Sequence, residues 1–232
     1  MFRPQGLAQS QSRSDIFERW WQTEGTWVEA PNQRRGGESG VQFLRNQAQQ
    51  LLYLKRQSGH LHRSWRHPFG QPTVLRELQA MQALTALGIR VPTLVYCDAQ
   101  KSAGQWRALL VTEALEGFVS LDLWYASDAP QQWGDALKRQ LLEQLAVTLS
   151  RLHRGRWQHS CLYAKHIFVK HHSLANGDRV EVALLDLEKS RQRWSQGAAA
   201  RHDLEQLHRR REGMPQADWQ TFIEAYQAAS SK

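Results

Sequence analysis

His159, Cys161 and His166 fall in one short stretch, "WQHSCLYAKHIFV", and Asp186 closes a later hydrophobic run, "VALLDL". An imidazole takes or gives a proton near neutral pH and binds metal through its free nitrogen. A thiol with its reference pKa of about 8.5 is mostly protonated at pH 7, so it accepts a proton poorly. A carboxylate beside an imidazole is a plausible half of a divalent-cation site. Earlier in the chain Lys55 ends "LLYLK" and Glu77 lies in "VLRELQAMQALTALG". A strand lysine can hold phosphate and a carboxylate can orient it.

The elements that must carry these groups follow from the pattern. "HIFVK" and "RVEVALLDL" read as two strands separated by "HHSLANGD", with Asn176-Gly177 a strong hairpin turn. Antiparallel pairing from that turn carries His166 and Asp186 to one end, where neighbouring strands stand about 5 Å apart. The pair is then either a two-ligand metal site or a His–Asp hydrogen bond. His159, Cys161 and His166 alone match no common zinc spacing, and no fourth ligand is evident. Before this segment, "LKRQLLEQLAVTLSRLHRG" puts Leu141, Leu145, Leu149 and Leu152 on one helix face and ends at Gly155. After it, "RHDLEQLHRRR" and "ADWQTFIEAYQAA" are closing helices.

The first half reads differently. Residues 1–14 form a polar, Gln/Ser-rich tail, and a short helix starts near Asp15, with Glu18 as the other half of a capping pair. Residues 32–115 then give β-β-β-α-β-β, five strands and one helix that Gly88 closes. On the helix wheel Glu77 falls inside the arc of Val74, Leu78, Met81 and Leu84. A carboxylate there either pairs with a strand lysine such as Lys55 or reaches solvent from the edge of the stripe. In "RRGGESGV", Gly36, Gly37 and Gly40 either bare the backbone to phosphate or make a tight turn.

Composition bounds the rest. The chain has 232 residues and a net charge of +8, which invites a polyanionic partner, but no nucleic-acid motif is visible and no nucleic acid is expected. An anionic membrane face remains a candidate partner. No apolar run reaches the roughly 18–20 residues of a membrane span, and the start lacks a secretory signal. Two cysteines, Cys97 and Cys161, fit a reducing cytoplasm, with the inner-membrane surface as a further place. Trp20, Trp21 and Trp27 suit packing of an N-terminal helix ahead of a membrane surface. The basic, aromatic insert "GHLHRSWRHPF", residues 59–69, reads as an exposed loop ahead of an interaction surface.

Together these residues resemble the protein-kinase-like fold. On its catalytic-loop pattern H-R-D-x-x-x-x-N, His159 takes the His place, Ser160 the Arg, Cys161 the Asp and His166 the Asn. From about Asp15 to the C-terminus the chain is similar to the lipopolysaccharide kinase group, and within it to the InaA family of acid-inducible proteins. The stretches "WWQTEGTWVEAPNQRRGGESGVQ", "HPFGQPTVLRE", "WRALLVTE" and "LLDLEKSR" carry the likeness. The resemblance implies an α+β, two-lobed fold: a five-stranded N-lobe sheet with one helix over residues 15–116, and a small, mainly helical C-lobe over 117–232. It implies ATP and Mg²⁺ as cofactors. Lys55 would contact phosphate and Glu77 would orient it. Asp186 and His166 would hold the metal, and Asp203 would brace the catalytic loop. Residues 111–117, near Leu115, would face adenine, while Cys161 and His159 stand at the catalytic places. The implied activity is phosphoryl transfer to a sugar hydroxyl such as one in the lipopolysaccharide core. Active members of the group carry Asp where Cys161 stands, so the other expectation is a nucleotide-binding pseudokinase acting in stress.

Overall fold

The computed structural model describes residues 12–28, 31–34, 37–64, 67–175 and 177–231. The chain divides into two compact units: residues 1–72 with 95–112, and residues 73–94 with 113–232.

The first unit opens with helix α1 (Arg13–Gln22). Its N-cap is Ser12, whose hydroxyl accepts from the Asp15 N–H while the Asp15 carboxylate accepts from the Ser12 N–H. The capping box therefore lies three residues ahead of the expected Asp15–Glu18 pair, and two residues assigned to the tail, Arg13 and Ser14, are helical. Glu18 is instead paired with Arg107. Strands β1 (Thr26–Trp27), β2 (Asn32–Arg34), β3 (Gly37–Arg45), β4 (Leu51–Ser58), β7 (Leu94–Ser102) and β8 (Gln105–Glu113) form one sheet in the order β1-β3-β4-β8-β7, with β2 also on β3. The sheet thus holds the five expected strands plus β1. Alternation along β4 turns Leu52 and Leu54 into a core with Phe17, Leu109 and Val111 and sends Lys55 to the other face. Trp20 and Trp21 pack on that core, Trp21 stacked on Phe17 and Trp20 on Tyr96. These two tryptophans are packing residues, as expected. Between β4 and the next helix the insert is a hairpin, β5 (Leu61–Ser64) with β6 (His67–Pro72), and not the expected open loop.

The second unit begins with α2 (Thr73–Ala86), closed by Gly88 at φ +69°. It continues with β9 (Val119–Ser120), α3 (Leu121–Ala126) and α4 (Ala129–Arg154), the last interrupted at Gly134 (φ 71°, ψ 174°). Next come β10 (Trp157–Gln158), β11 (Ile167–His172), β12 (Arg179–Leu184) and β13 (Arg191–Gln192), then α5 (Gln196–Arg209) and α6 (Gln216–Ser230). β11 pairs with β12 and β9; β10 pairs with β13. Leu141, Leu145, Leu149 and Leu152 of α4 are buried, and α4 packs on α5, α6 and β12. Each such leucine contributes about 1.5–3 kcal/mol through burial, so α4 is the core helix on which the loop at 159–166 is mounted. Among the described residues no helix is long and apolar enough to cross a membrane.

Candidate active site

β11 and β12 run antiparallel with Ile167 opposite Leu184. The Leu185 N–H donates to the His166 carbonyl at 2.9 Å, which extends that register by one step. The result is the convergence the hairpin argument calls for: His166 Nε2 lies 3.6 Å from Asp186 Oδ2. That is too long for a good hydrogen bond. His166 Nδ1–H donates to the Cys161 carbonyl at 2.7 Å, which leaves Nε2 as the nitrogen facing the carboxylate, the atom through which a neutral imidazole would bind a metal. A neutral imidazole nitrogen and a carboxylate facing each other suit a cation between them. Cis ligands about 2.0–2.1 Å from an octahedral divalent ion stand about 3 Å apart, so the pair would close by roughly half an ångström around one. The Asp186 side chain is 42% exposed, open to a ligand. Its backbone is left-handed, φ 61° and ψ 59°, which turns the chain out of β12 into a 3-10 turn at Leu187–Lys189. Among the described residues no third His, Cys, Asp or Glu joins the pair. The remaining ligands of a metal would have to be phosphate and water, the habit of Mg²⁺ at nucleotide sites.

The loop is held from behind. Asp203, fully buried on α5, accepts from the backbone N–H groups of His159 (2.6 Å) and Ser160 (3.0 Å). His153 Nε2 donates to the same carboxylate at 3.3 Å, and Tyr226 O–H donates to His153 Nδ1 at 2.8 Å. Burial pushes the Asp203 carboxyl up, but His153 and the backbone donors outweigh it and hold it below the ordinary Asp value. Asp203 thus ties the backbone of residues 159 and 160 to α5. Its position could be read from its stripe, since Ala199, Asp203 and Leu207 are the buried residues of α5. His153 and Tyr226 are new. His153 had a signal of the same kind, one helical turn after Leu149 on the apolar face of α4.

His159 is completely buried, and both ring nitrogens are engaged: Nε2–H donates to the Leu185 carbonyl (2.9 Å), and Nδ1 accepts from the Cys161 N–H (3.3 Å). Burial lowers its pKa and keeps the ring neutral. The expected catalytic place is therefore a strut, because a ring with no exposed atom cannot reach an acceptor. Cys161 is 4% exposed, and burial pushes its thiol pKa up. The cation beside it is Lys189; Lys165, nearer in sequence, faces solvent from the 3-10 turn at Ala164–His166. Lys189 pulls the thiol pKa back down, and the net direction remains upward.

The other expected residues divide between the units. Lys55 is half-buried in the first unit, paired in register with Val41. Glu77 is half-buried on α2 of the second unit. Gly36 lies outside the described residues. A Cβ on Gly37 would strike the backbone of Gly59 and His60 at 2.3–2.5 Å, and one on Gly40 the Trp27 ring at 2.5 Å. Gly37 is thus required by close packing against backbone, and Gly40 makes room for the Trp27 ring. Leu115 opens a turn in which its carbonyl accepts from the Phe118 N–H at 3.1 Å.

An antiparallel sheet unit with one capping helix, and a helical unit that carries a braced loop followed by an aspartate at a hairpin's end, define a protein-kinase-like fold. Solved structures agree. The chain is similar to WaaP, in a structure titled as a complex with acyl carrier protein, with a TM-score of 0.67 and 21% identity over 92% of this chain and 83% of that one. It is also similar to the amicoumacin kinase hAmiN, in a complex with AMP-PNP, Ca²⁺ and Ami, with a TM-score of 0.56 and 13% identity over 95% of this chain and 78% of that one. The chain belongs to the lipopolysaccharide kinase (Kdo/WaaP) family, whose model matches residues 18–226. Within the curated proteins it is 42% identical to Protein InaA of Escherichia coli (strain K12) over 215 residues, 93% of this chain and 96% of that one.

Proposed function

We propose that this protein is an ATP- and divalent-metal-dependent phosphotransferase acting on a sugar hydroxyl, such as one in the lipopolysaccharide core. The observation that carries the reading is the His166–Asp186 pair, with Nε2 and Oδ2 3.6 Å apart at one end of the hairpin. Asp186 and His166 hold the metal ion. Lys55 contacts phosphate, Glu77 orients Lys55, and the turn at Leu115 receives adenine, the roles that the family likeness gives them. Bound Mg²⁺ would neutralise phosphate charge, the larger part of catalysis in phosphoryl transfer. His159 and Asp203 hold the loop from behind, which keeps the rearrangement of Asp186 and His166 on binding small. The cytoplasm is the proposed compartment.

A second reading has its own observation. The Cys161 thiol, buried and kept protonated by that burial, occupies the place that the family likeness gives to the general base. Loss of a general base costs about 10² to 10⁴ in rate. A pseudokinase that binds nucleotide without transferring phosphate is the function that remains if that loss is complete. Thermal unfolding with ATP, with and without Mg²⁺, tests the common part. Nucleotide should stabilise the protein in a metal-dependent way, and Asp186→Ala should remove about 1.5–3 kcal/mol of that binding. Equal stabilisation of Asp186→Ala and parent would sink the assignment. Transfer from labelled ATP to a core oligosaccharide then separates the two readings.

A further inference from the structure

Directly before and after the candidate site, the short ribbon of β10 and β13 carries a surface that the chemistry above does not use. Trp157 pairs with Gln192 and Gln158 with Arg191; one step further, the Arg193 N–H donates to the Arg156 carbonyl at 2.7 Å. Arg156 and Arg193 are therefore cross-strand neighbours, an arrangement of like charges that destabilises a sheet unless an anion lies between or beside them. Among the described residues none of the guanidinium groups of Arg156, Arg191 and Arg193 makes a salt bridge or a hydrogen bond. Arg193 Nε is buried with no acceptor at all. Immediately after it Trp194 is 95% exposed, the most exposed of the large hydrophobic residues. Among the described residues no aromatic ring stacks on it. A basic edge ending in a free indole is complementary to a surface that is anionic outside and apolar just beneath.

We infer that the β10–β13 ribbon docks on an anionic lipid bilayer, with Trp194 seated at the headgroup level and Arg156, Arg191 and Arg193 against lipid phosphates. An indole suits that place because its ring is amphipathic. Guanidinium groups without carboxylate partners gain most from a dense field of phosphates. A soluble phosphate would satisfy the arginines but leave Trp194 in water. A single-stranded nucleic acid would want several aromatic faces along its track, and the ribbon offers one free ring. The inference does not rest on phosphoryl transfer.

The test is co-sedimentation of the full chain with vesicles of phosphatidylcholine alone or mixed with phosphatidylglycerol. Association is expected only with the mixed vesicles, and it should weaken as salt rises. Arg156→Gln and Arg191→Gln should each weaken it about fivefold, the effect of one basic residue at an anionic surface. Trp194→Ala should weaken it several-fold while leaving the salt dependence as it was. All three side chains are exposed, so thermal unfolding of the variants should match the parent. Equal binding to neutral vesicles, or arginine variants that bind like the parent, would overturn the proposal. So would a Trp194→Ala protein with undiminished vesicle binding that inorganic phosphate competes away, since the arginines would then serve a soluble anion.

Discussion

Asp203 and Asp186 stand on opposite flanks of the same loop and are treated in opposite ways. Asp203 is sealed under α5, with two backbone N–H groups and His153 donating to it. Asp186 is half open to solvent, and the His166 Nε2 that faces it stands at 3.6 Å, beyond good hydrogen-bond distance. One carboxylate has its acceptor capacity spent inside the protein; the other keeps its capacity for something outside. The closed flank fixes where the loop is, and the open flank is where binding energy remains to be gained. Cys161 lies between them, with its carbonyl serving the open flank and its thiol buried.

The comparison can be pressed hardest at Cys161. Cys161→Asp places a carboxylate beside Lys189 and should raise transfer or ATP turnover by about 10² to 10⁴, with nucleotide affinity nearly unchanged. A folded, nucleotide-binding Cys161→Asp protein that stays inert would decide for a binding module. Next comes Asp203→Asn, which leaves buried donors facing an amide that can no longer accept from all of them. It should cost about 3 kcal/mol, read as a lower urea midpoint with an unchanged slope. Asp186→Asn should stay within about 0.5 kcal/mol of the parent in the same measurement. Equal losses would erase the distinction between the flanks.

Acid supplies a milder test. Because the folded Asp203 pKa is depressed, its contribution is full above the unfolded value of about 3.9 and is lost as pH falls through the lower folded value. The parent should therefore lose more stability than Asp203→Asn on acidification below about pH 4, measured by thermal unfolding across that range. The smallest effect concerns the open flank. An imidazole ligand favours a later first-row ion over Mg²⁺. Mn²⁺ should support nucleotide-dependent stabilisation at least as well as Mg²⁺, and His166→Asn should shift the preference back toward Mg²⁺.

What could be read in the sequence was whatever local pattern controls. The convergence of His166 and Asp186 follows from a turn signal and antiparallel register, both properties of neighbouring residues. The buried face of α4 follows from leucine spacing. Contacts between distant segments were not legible. The Tyr226–His153–Asp203 chain joins α6, α4 and α5, and only the polar residue on each apolar stripe hinted that a partner existed. Lys189, and not the nearer Lys165, reaches Cys161 because a 3-10 turn swings Lys165 outward. The capping box was misplaced for a similar reason: Glu18 had the right spacing, but Arg107, far along the chain, claims it. The family likeness supplied Asp203's role where pattern alone was silent.

Asp186 adopts a left-handed backbone conformation, φ 61° and ψ 59°. For a non-glycine residue that conformation costs on the order of 1 kcal/mol. Glycine at this position would be relieved of the cost and would lose a half-exposed side chain that contributes little to the fold. A library of variants screened for heat tolerance should therefore enrich Asp186→Gly, and on the role proposed for Asp186 such a winner would have lost its metal ligand. Selection for robustness and selection for activity pull this one residue in opposite directions, so thermal screening of this protein needs a ligand in the assay.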